Sequence, residues 1–281
     1  MATIAETATA ERLRHSMNGL RPGAMVRLAL LVLGTLVLIP PQLVAMRFGR
    51  PFYFTRLFQR LVCRSFGVRI TARGEAPRPG EGGLIVANHI SWLDIPVVGT
   101  TGPLSFVAKA EVATWPVIGW LSTLQRTVFI DRMRRGATVG VASEMGRRLQ
   151  DGQSVVLFAE GTTGDGTRVL PLRSSLLGAA HEAVRGADEA ETTIYPLCIT
   201  YTGFHGLRGG RADRAALAWY GDTELAPHLQ AMINSGAIDV ELAWGDPIRM
   251  GRKLSRKEAT RLAEIAIRRA RQEAVTGRSR A

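Results

Sequence analysis

From Leu28 to Met46 the chain reads LALLVLGTLVLIPPQLVAM, without one charged residue. A stretch of that length and character approaches what the hydrocarbon core of a bilayer demands of a helix. Pro40-Pro41 is expected to interrupt it after Ile39, because proline lacks an amide hydrogen and clashes with the preceding turn. No small-residue cleavage site follows the run, which argues against a secretory signal peptide. Arginine crowds both flanks, with Arg12, Arg14, Arg21 and Arg27 before and Arg47, Arg50, Arg56, Arg60 and Arg64 after. Charge asymmetry therefore assigns no orientation to a simple span. A segment that dips into one leaflet and returns at Pro40-Pro41 keeps both flanks on the cytoplasmic side. A single tilted span and a buried core helix are the other readings.

Residues 52–66, FYFTRLFQRLVCRSF, follow directly. At helical spacing Arg56, Arg60 and Arg64 form one basic stripe, and Phe54, Leu57, Phe58, Leu61 and Val62 fill the other side. Two readings stand side by side: a helix lying in the headgroup plane, and a core-facing helix with a solvated arginine face.

At 281 residues, 46% of them hydrophobic and 30 of them glycine, the chain can bury a substantial core of the α/β kind. A net charge of +12 and a pI near 11.0 point to an anionic partner: nucleic acid, a lipid surface or an acidic carrier. Nucleic acid is the weakest of these, because the basic residues are dispersed and no zinc spacing or RNP-like aromatic motif is present. Cys63 and Cys198 stand far apart and read as packed thiols in a reducing compartment, not as a disulfide framework or metal site.

From Val68 onward strand and helix signals alternate. Leu84–Ala87, Thr127–Ile130, Val155–Ala159, Ile194–Tyr201 and Ala216–Tyr220 read as buried strands, and Asp239–Trp244 as a weaker one. Helical patterns cover Gly136–Gln150 and Ser174–Arg185. The alternation predicts a single layered α/β domain, a largely parallel mixed sheet flanked by helices, preceded by a membrane-associated helical segment. Ser255-Arg-Lys-Glu258 is a capping-box pattern opening a helix to about Ala274, which Leu262, Ile265, Ala266 and Arg269 show to be amphipathic and surface-docked. The expected organisation is 1–66 for the arm, apolar segment and amphipathic helix, 67–253 for the α/β domain, and 254–281 for the C-terminal helix and tail.

The segment carrying most chemistry is Leu84-Ile-Val-Ala-Asn-His-Ile-Ser-Trp-Leu-Asp94, in which an apolar strand stops at Asn88 and releases His89. Residues five apart in a continuous helix point about 140° away from each other, so His89 and Asp94 meet only if the chain turns between them. Pro96 supplies the reason, being tolerated in a helix only within its first turn. The helix therefore starts near Leu93–Asp94, leaves His89 to Trp92 in a loop, and places the Asp94 charge at a helix N-terminus. A histidine at a strand end with a carboxylate beside it is how a general base is mounted; Asp94 as a cap alone is the plainer alternative.

A second loop, Glu160-Gly-Thr-Thr-Gly-Asp-Gly166, follows the strand Val155–Ala159. Its three glycines let backbone N–H groups approach a ligand, although a flexible connection would look the same. The Gly-Lys-Ser/Thr ending of a phosphate-binding loop is absent, and no second histidine stands at metal-ligand spacing, so no metal is expected.

Together these segments resemble the glycerolipid, or lysophosphatidate-type, acyltransferase superfamily. Asn88-His89-Ile-Ser-Trp-Leu-Asp94 is similar to its His-x4-Asp block. Lys109-Ala-Glu-Val-Ala-Thr-Trp-Pro116-Val-Ile-Gly119-Trp, with Val128-Phe-Ile-Asp-Arg132, looks like the second block. Phe158-Ala-Glu160-Gly161-Thr162 matches the third and Ile194-Tyr-Pro196-Leu the fourth, all in family order over residues 84–201. The resemblance implies acyl transfer from a thioester donor, acyl carrier protein or coenzyme A, to a lipid hydroxyl, with no further cofactor. His89 would be the general base and Asp94 its orienting partner, while Glu160, Gly161 and Thr162 would position the acceptor. Nearby backbone N–H groups could stabilise the oxyanion. The implied place is the cytoplasmic face of a bacterial inner membrane, monotopic or single-pass, against an anionic lipid surface.

Two departures bear on the acceptor. Lysophosphatidate-using members usually carry Phe-Pro-Glu-Gly-Thr-Arg, whereas Ala159 and Thr163 stand here in place of the Pro and Arg. Without that bidentate clamp a phosphorylated acceptor is disfavoured, and Lys109 and Arg132 are left as anion contacts. The stretch from Glu160 to Ser174, with Ala218-Trp-Tyr-Gly-Asp222 and Ala226-Pro-His-Leu229, is similar to the lyso-ornithine lipid branch, whose acceptor has no phosphate. There Glu160 and Asp165 would face the ornithine ammonium. A lysophosphatidate acyltransferase is the second reading, and a non-catalytic membrane lipid carrier the third.

Overall fold

The computed structural model describes residues 19–78, 80–130, 137–178, 192–251 and 254–277. Arg12, Arg14, Arg132, the second half of the helix expected over Ser174–Arg185 and the last four residues lie outside these. The chain opens with helices α1 (Pro22–Arg47) and α2 (Thr55–Ser65), then strands β1 (Val68–Arg73) and β2 (Gly83–Ala87). Next come α3 (Asp94–Gly99), β3 (Leu104–Lys109), a 3-10 turn (Ala110–Thr114), α4 (Ile118–Leu124), β4 (Val128–Ile130), α5 (Ala137–Gln150) and β5 (Ser154–Phe158). The last part holds β6 (Thr192–Phe204), β7 (Leu207–Arg208), α6 (Arg211–Leu217), α7 (Leu225–Ser235), β8 (Ile238–Trp244), β9 (Ile248–Met250) and α8 (Arg256–Thr276).

One mixed, mostly parallel sheet runs in the order β1-β8-β6-β2-β5-β3-β4, with β7 and β9 also pairing β6. β2 lies parallel between β5 and β6, and β3 runs parallel to β5 and β4, so all five strands end on one edge. The antiparallel pairs are those β6 makes with β7, β8 and β9. Central strands covered on both faces must be apolar throughout, which is why Gly83–Ala87 reads as a continuous run. Ile85 and Ala87 pack with Phe158, Leu197, Ile199 and Met232 on the face covered by α2, α3 and α7. Leu84 and Val86 pack with Val155, Leu157 and Cys198 on the other, covered by α5 and α8. Burial pushes both thiols up to about 12, as packed, unreactive cysteines require.

Two local expectations are corrected. Pro40-Pro41 does not break the apolar segment: α1 runs unbroken through both prolines, although the carbonyls four residues earlier lose their helical donors. Docking supplies the support, because buried Gln42, next to Pro41, donates to the carbonyls of Pro51 (2.7 Å) and Leu124 (3.0 Å). Ala216–Tyr220 is not a strand. Asp213 accepts from the Gly210 N–H at 2.6 Å, which starts α6, and the remainder is an extended loop. Helix α8 docks on the sheet through Ala259, Ala263, Ile267 and Ala270, three of them small enough for close approach, while Ile265 is half exposed. The Ser255 cap stands as expected, its hydroxyl accepting from the Glu258 N–H.

Helix α2 divides the two readings offered for it. Gln59, Val62 and Cys63 are buried against the domain, and Arg60 and Arg64 remain exposed beside an exposed Leu57. Arg56 is also exposed, yet its Nε donates to the Thr100 carbonyl at 2.8 Å.

Candidate active site

β2 and β5 are neighbours in register, Ala87 opposite Phe158, so the loops that follow them meet at the strand ends. Alternation along β2 sends His89 to the same face as Ile85 and Ala87, the face that also carries α1 and α2. There His89 stacks on the Phe158 ring, with centroids 4.0 Å apart and planes 12° from parallel. Asn88, buried at the turn, exchanges two hydrogen bonds with the Ile199 backbone and ties the loop to β6.

The chain turns between His89 and Asp94 as expected, and α3 begins at Asp94. His89 Nδ1 lies 2.8 Å from Asp94 Oδ2, which also accepts from the N–H groups of Ile90 (2.6 Å) and Ser91 (2.9 Å). The Tyr201 hydroxyl donates to Oδ1 at 2.8 Å. Asp94 is fully buried, so four donors replace the water it has lost. The His89 side chain stays 18% exposed; with Nδ1 engaged, its free face is the Nε2 edge. This arrangement fixes the tautomer and lets the ring take up a proton from outside.

Glu160 is almost completely buried. Its Oε1 accepts from the Leu170 N–H at 2.9 Å and its Oε2 from the His89 N–H at 3.3 Å. Burial pushes its carboxyl up to about 8, against the pull of those two amides. It thus staples the third-block loop to the loop that carries His89. Gly161 and Gly166 hold left-handed φ values of 76° and 71°, which only glycine adopts without strain. Two amides of this loop are used internally: Gly161 N–H donates to the Phe158 carbonyl and Gly164 N–H to the His89 carbonyl, at 3.1 and 2.8 Å. Thr163 is therefore next to a residue bonded to His89, half-buried, while Thr162 is exposed. Asp165 accepts from Thr167 N–H and Oγ1; burial opposes ionisation, but these bonds and Arg168 and Arg211 hold it below the usual carboxylate range.

Lys109 is exposed at the end of β3, three residues beyond Phe106, which pairs with Val156 of β5. It shares the edge with His89, two strands away, or about 10 Å at the usual strand spacing. Arg132 lies outside the described residues. Tyr201 was not anticipated, its partner standing 107 positions earlier. The available signal was a tyrosine on the inward face of a buried strand, whose hydroxyl needs a partner. Among the described residues no group of His, Cys, Asp and Glu could hold a metal. A cavity lined by Arg78, Gly102, Gly152 and Ser154 opens at the other end of the sheet, and so is no candidate for the reacting centre.

A general acyltransferase family model matches residues 69–200, which contain His89, Asp94, Lys109 and the Glu160–Gly166 loop. The lyso-ornithine lipid O-acyltransferase of Brucella abortus is 48% identical over 221 residues, 79% of this chain and 82% of its own. The chain belongs to the acyltransferase family. The corresponding enzyme of Rhizobium meliloti is 40% identical over 253 residues, 89% of this chain and 86% of its own. The solved 1-acyl-sn-glycerophosphate acyltransferase of Thermotoga maritima shares the fold, with a TM-score of 0.65 at 18% identity over 92% of this chain and 95% of that one. Helix α1 of this acyltransferase is 26 residues long with an outward face that is almost wholly apolar, long enough to cross a membrane, which suggests membrane association.

Proposed function

We propose that the protein transfers a fatty acyl group from a thioester, on acyl carrier protein or coenzyme A, to the free hydroxyl of lyso-ornithine lipid. The observation that carries the chemistry is His89, wired through Nδ1 to a buried, four-donor Asp94 with its other edge open. His89 Nε2 takes the hydroxyl proton as the lipid oxygen attacks the thioester carbonyl. Asp94 stabilises the imidazolium, and the tetrahedral intermediate expels the thiolate, which recovers the proton from His89. The acceptor supplies its own nucleophile, so no acyl-enzyme is required. A lipid carrier would have no use for this base.

The acceptor rests on Thr163, where lysophosphatidate enzymes usually hold arginine, and on the names of the two bacterial relatives. A zwitterionic amino-acid headgroup needs no phosphate clamp. Lys109 suits its carboxylate, and Asp165 is the ionised group of the third-block loop that suits its ammonium. Gly161, Thr162 and Thr163 flank the acceptor, and Glu160 positions their loop. Purified protein given labelled acyl carrier protein or acyl coenzyme A, with both acceptors competing, should esterify lyso-ornithine lipid. Efficient esterification of lysophosphatidate alone would move the assignment to the second reading.

We place the protein on the cytoplasmic face of the bacterial inner membrane as a monotopic enzyme. Both ends of α1 are tied to the catalytic domain: Arg27 Nη2 donates to the Ile233 carbonyl at 2.6 Å, and Gln42 bonds Leu124. A spanning helix would carry one end to the far side. Met25, Val32, Leu36 and Val37 on its outer face, with Arg60 and Arg64 nearby, suit a helix lying in one anionic leaflet.

A further inference from the structure

The second block ends in a protrusion that the chemistry above leaves unused. Trp115 to Trp120 leaves the 3-10 turn, reverses at Val117 and enters α4. Val117 has φ 63° and ψ −55°, and Ile118 N–H closes on the Pro116 carbonyl at 2.6 Å, a three-residue turn of the rare strained kind. For a β-branched residue this backbone is a true outlier. Its effect is to push apolar side chains outward: Val117 is 69%, Ile118 37% and Trp120 48% exposed. Gly119 makes the reversal close, because a Cβ there would run into the Ala113 carbonyl.

Water gives no reason to hold a strained turn that exposes valine, isoleucine and tryptophan together. Its position does. Leu121 and Leu124 of α4 form an apolar groove with Leu38, Ile39 and Phe58, and Gln42 bonds the Leu124 carbonyl, so the helix that the protrusion opens packs beside α1. Behind it Trp115 meets Trp219 edge-on at 6.2 Å, and Trp219 N–H donates to the Ile90 carbonyl at 2.9 Å. The protrusion is thus joined on one side to the apolar helix and on the other to the residue after His89.

We propose that residues 117–120 are a second membrane-inserting element, which enters the same leaflet as α1 and holds that leaflet against the mouth of the His89 site. The inference deepens the monotopic reading and rests on it. Its occupant is the bilayer itself: Val117 and Ile118 enter the acyl region, and Trp120 sits at the headgroup boundary, where an indole is favoured. A lysolipid can then present its hydroxyl to His89 without leaving the membrane.

The test uses the full chain on vesicles of phosphatidylcholine and phosphatidylglycerol carrying brominated acyl chains, which quench only nearby tryptophans. Trp120→Phe should bind vesicles within about twofold of the wild type through α1, while losing at least half of the quenchable fluorescence. Val117→Glu/Ile118→Glu, at exposed positions, should fold normally. It should raise the apparent KM for acceptor embedded in vesicles about tenfold, leaving kcat and the rate on a short-chain soluble acceptor unchanged. Unchanged quenching in Trp120→Phe, or an unchanged vesicle KM in the double variant, overturns the insertion. A lower kcat/KM for the thioester donor with the quenching kept would make the protrusion a donor-docking surface and also overturn it. Wild type that ignores vesicles altogether would fail the monotopic reading itself.

Discussion

Tyr201 and Asp94 are joined by a 2.8 Å hydrogen bond in which the phenol donates to Oδ1, the carboxylate oxygen not facing His89. Both side chains are buried, and the phenol pKa is driven upward, by burial first and then by the Asp94 charge. Tyr201 therefore remains a donor at every working pH and fixes the plane of the carboxylate that orients the imidazole. Tyr201→Phe should keep the fold and lower kcat about tenfold, since a buried bond to a charged group is worth roughly 1.5–3 kcal/mol. Steady-state kinetics with unchanged KM for both substrates would identify positioning; wild-type kcat would show that the two backbone amides suffice.

Replacing the base itself should cost more. His89→Ala is expected to lower turnover about 10²–10⁴-fold without loss of vesicle binding. Asp94→Asn should be similarly damaging and also destabilising, because an amide NH2 turned toward Ile90 or Tyr201 opposes donor to donor. Circular dichroism melts alongside turnover separate the two effects, His89→Ala leaving the melt nearly unmoved.

Glu160 couples the third-block loop to pH. Burial pushes its carboxyl up from the ordinary 4.5 to about 8, so between those values the folded state holds the extra proton. Stability must then fall as pH rises through that window. Glu160→Gln keeps the carbonyl that accepts from Leu170 but cannot ionise. Its melting temperature should change less between pH 5 and pH 8 than that of the wild type, as thermal melts in a common buffer would record. Parallel profiles would mean that the groups titrating in this window lie elsewhere.

Much of this site was legible because its signals are local. Pro96 limits where α3 can begin, the apolar run to Ala87 marks a strand buried on both faces, and together they bring His89 to Asp94. What was not legible depends on partners remote in sequence. Pro40-Pro41 looked like a break because the bonds from Gln42 to Pro51 and Leu124 are tertiary. Ala216–Tyr220 is apolar enough for a strand, yet the Asp213 cap and the Trp219 bond to Ile90 divide it between helix and loop. That Glu160 is buried and accepts from the Leu170 and His89 amides likewise depends on the fold. Arg56 belonged to the basic stripe by spacing, and only the fold reveals its bond to Thr100.

That bond decides how the basic face should be tested. Charge reversal at Arg56 would disturb the α2–α3 contact, so Arg60→Glu and Arg64→Glu, at exposed positions, isolate the electrostatics. Each basic residue near an anionic surface contributes about 1 kcal/mol, and the double variant should bind phosphatidylglycerol vesicles at least tenfold more weakly at low salt. The difference should shrink toward 0.5 M salt, where screening is nearly complete at these distances. Equal sedimentation with vesicles at low salt would assign the stripe to the solvent.

The acceptor can be probed at Thr163, beside the Gly164 amide that bonds the His89 carbonyl. A guanidinium there would stand within reach of a phosphate held next to the reacting hydroxyl, and would meet the zwitterion only at its carboxylate. Thr163→Arg should raise kcat/KM on lysophosphatidate relative to lyso-ornithine lipid by about tenfold, the discrimination expected of one charge-assisted bidentate contact. Most of the change should lie in KM, because the base and its Asp94 partner are untouched. Competition between the two lysolipids in mixed micelles reads the ratio directly. A ratio that does not move would mean that the headgroup is held away from this loop, leaving Lys109 at the end of β3 as the contact to test next.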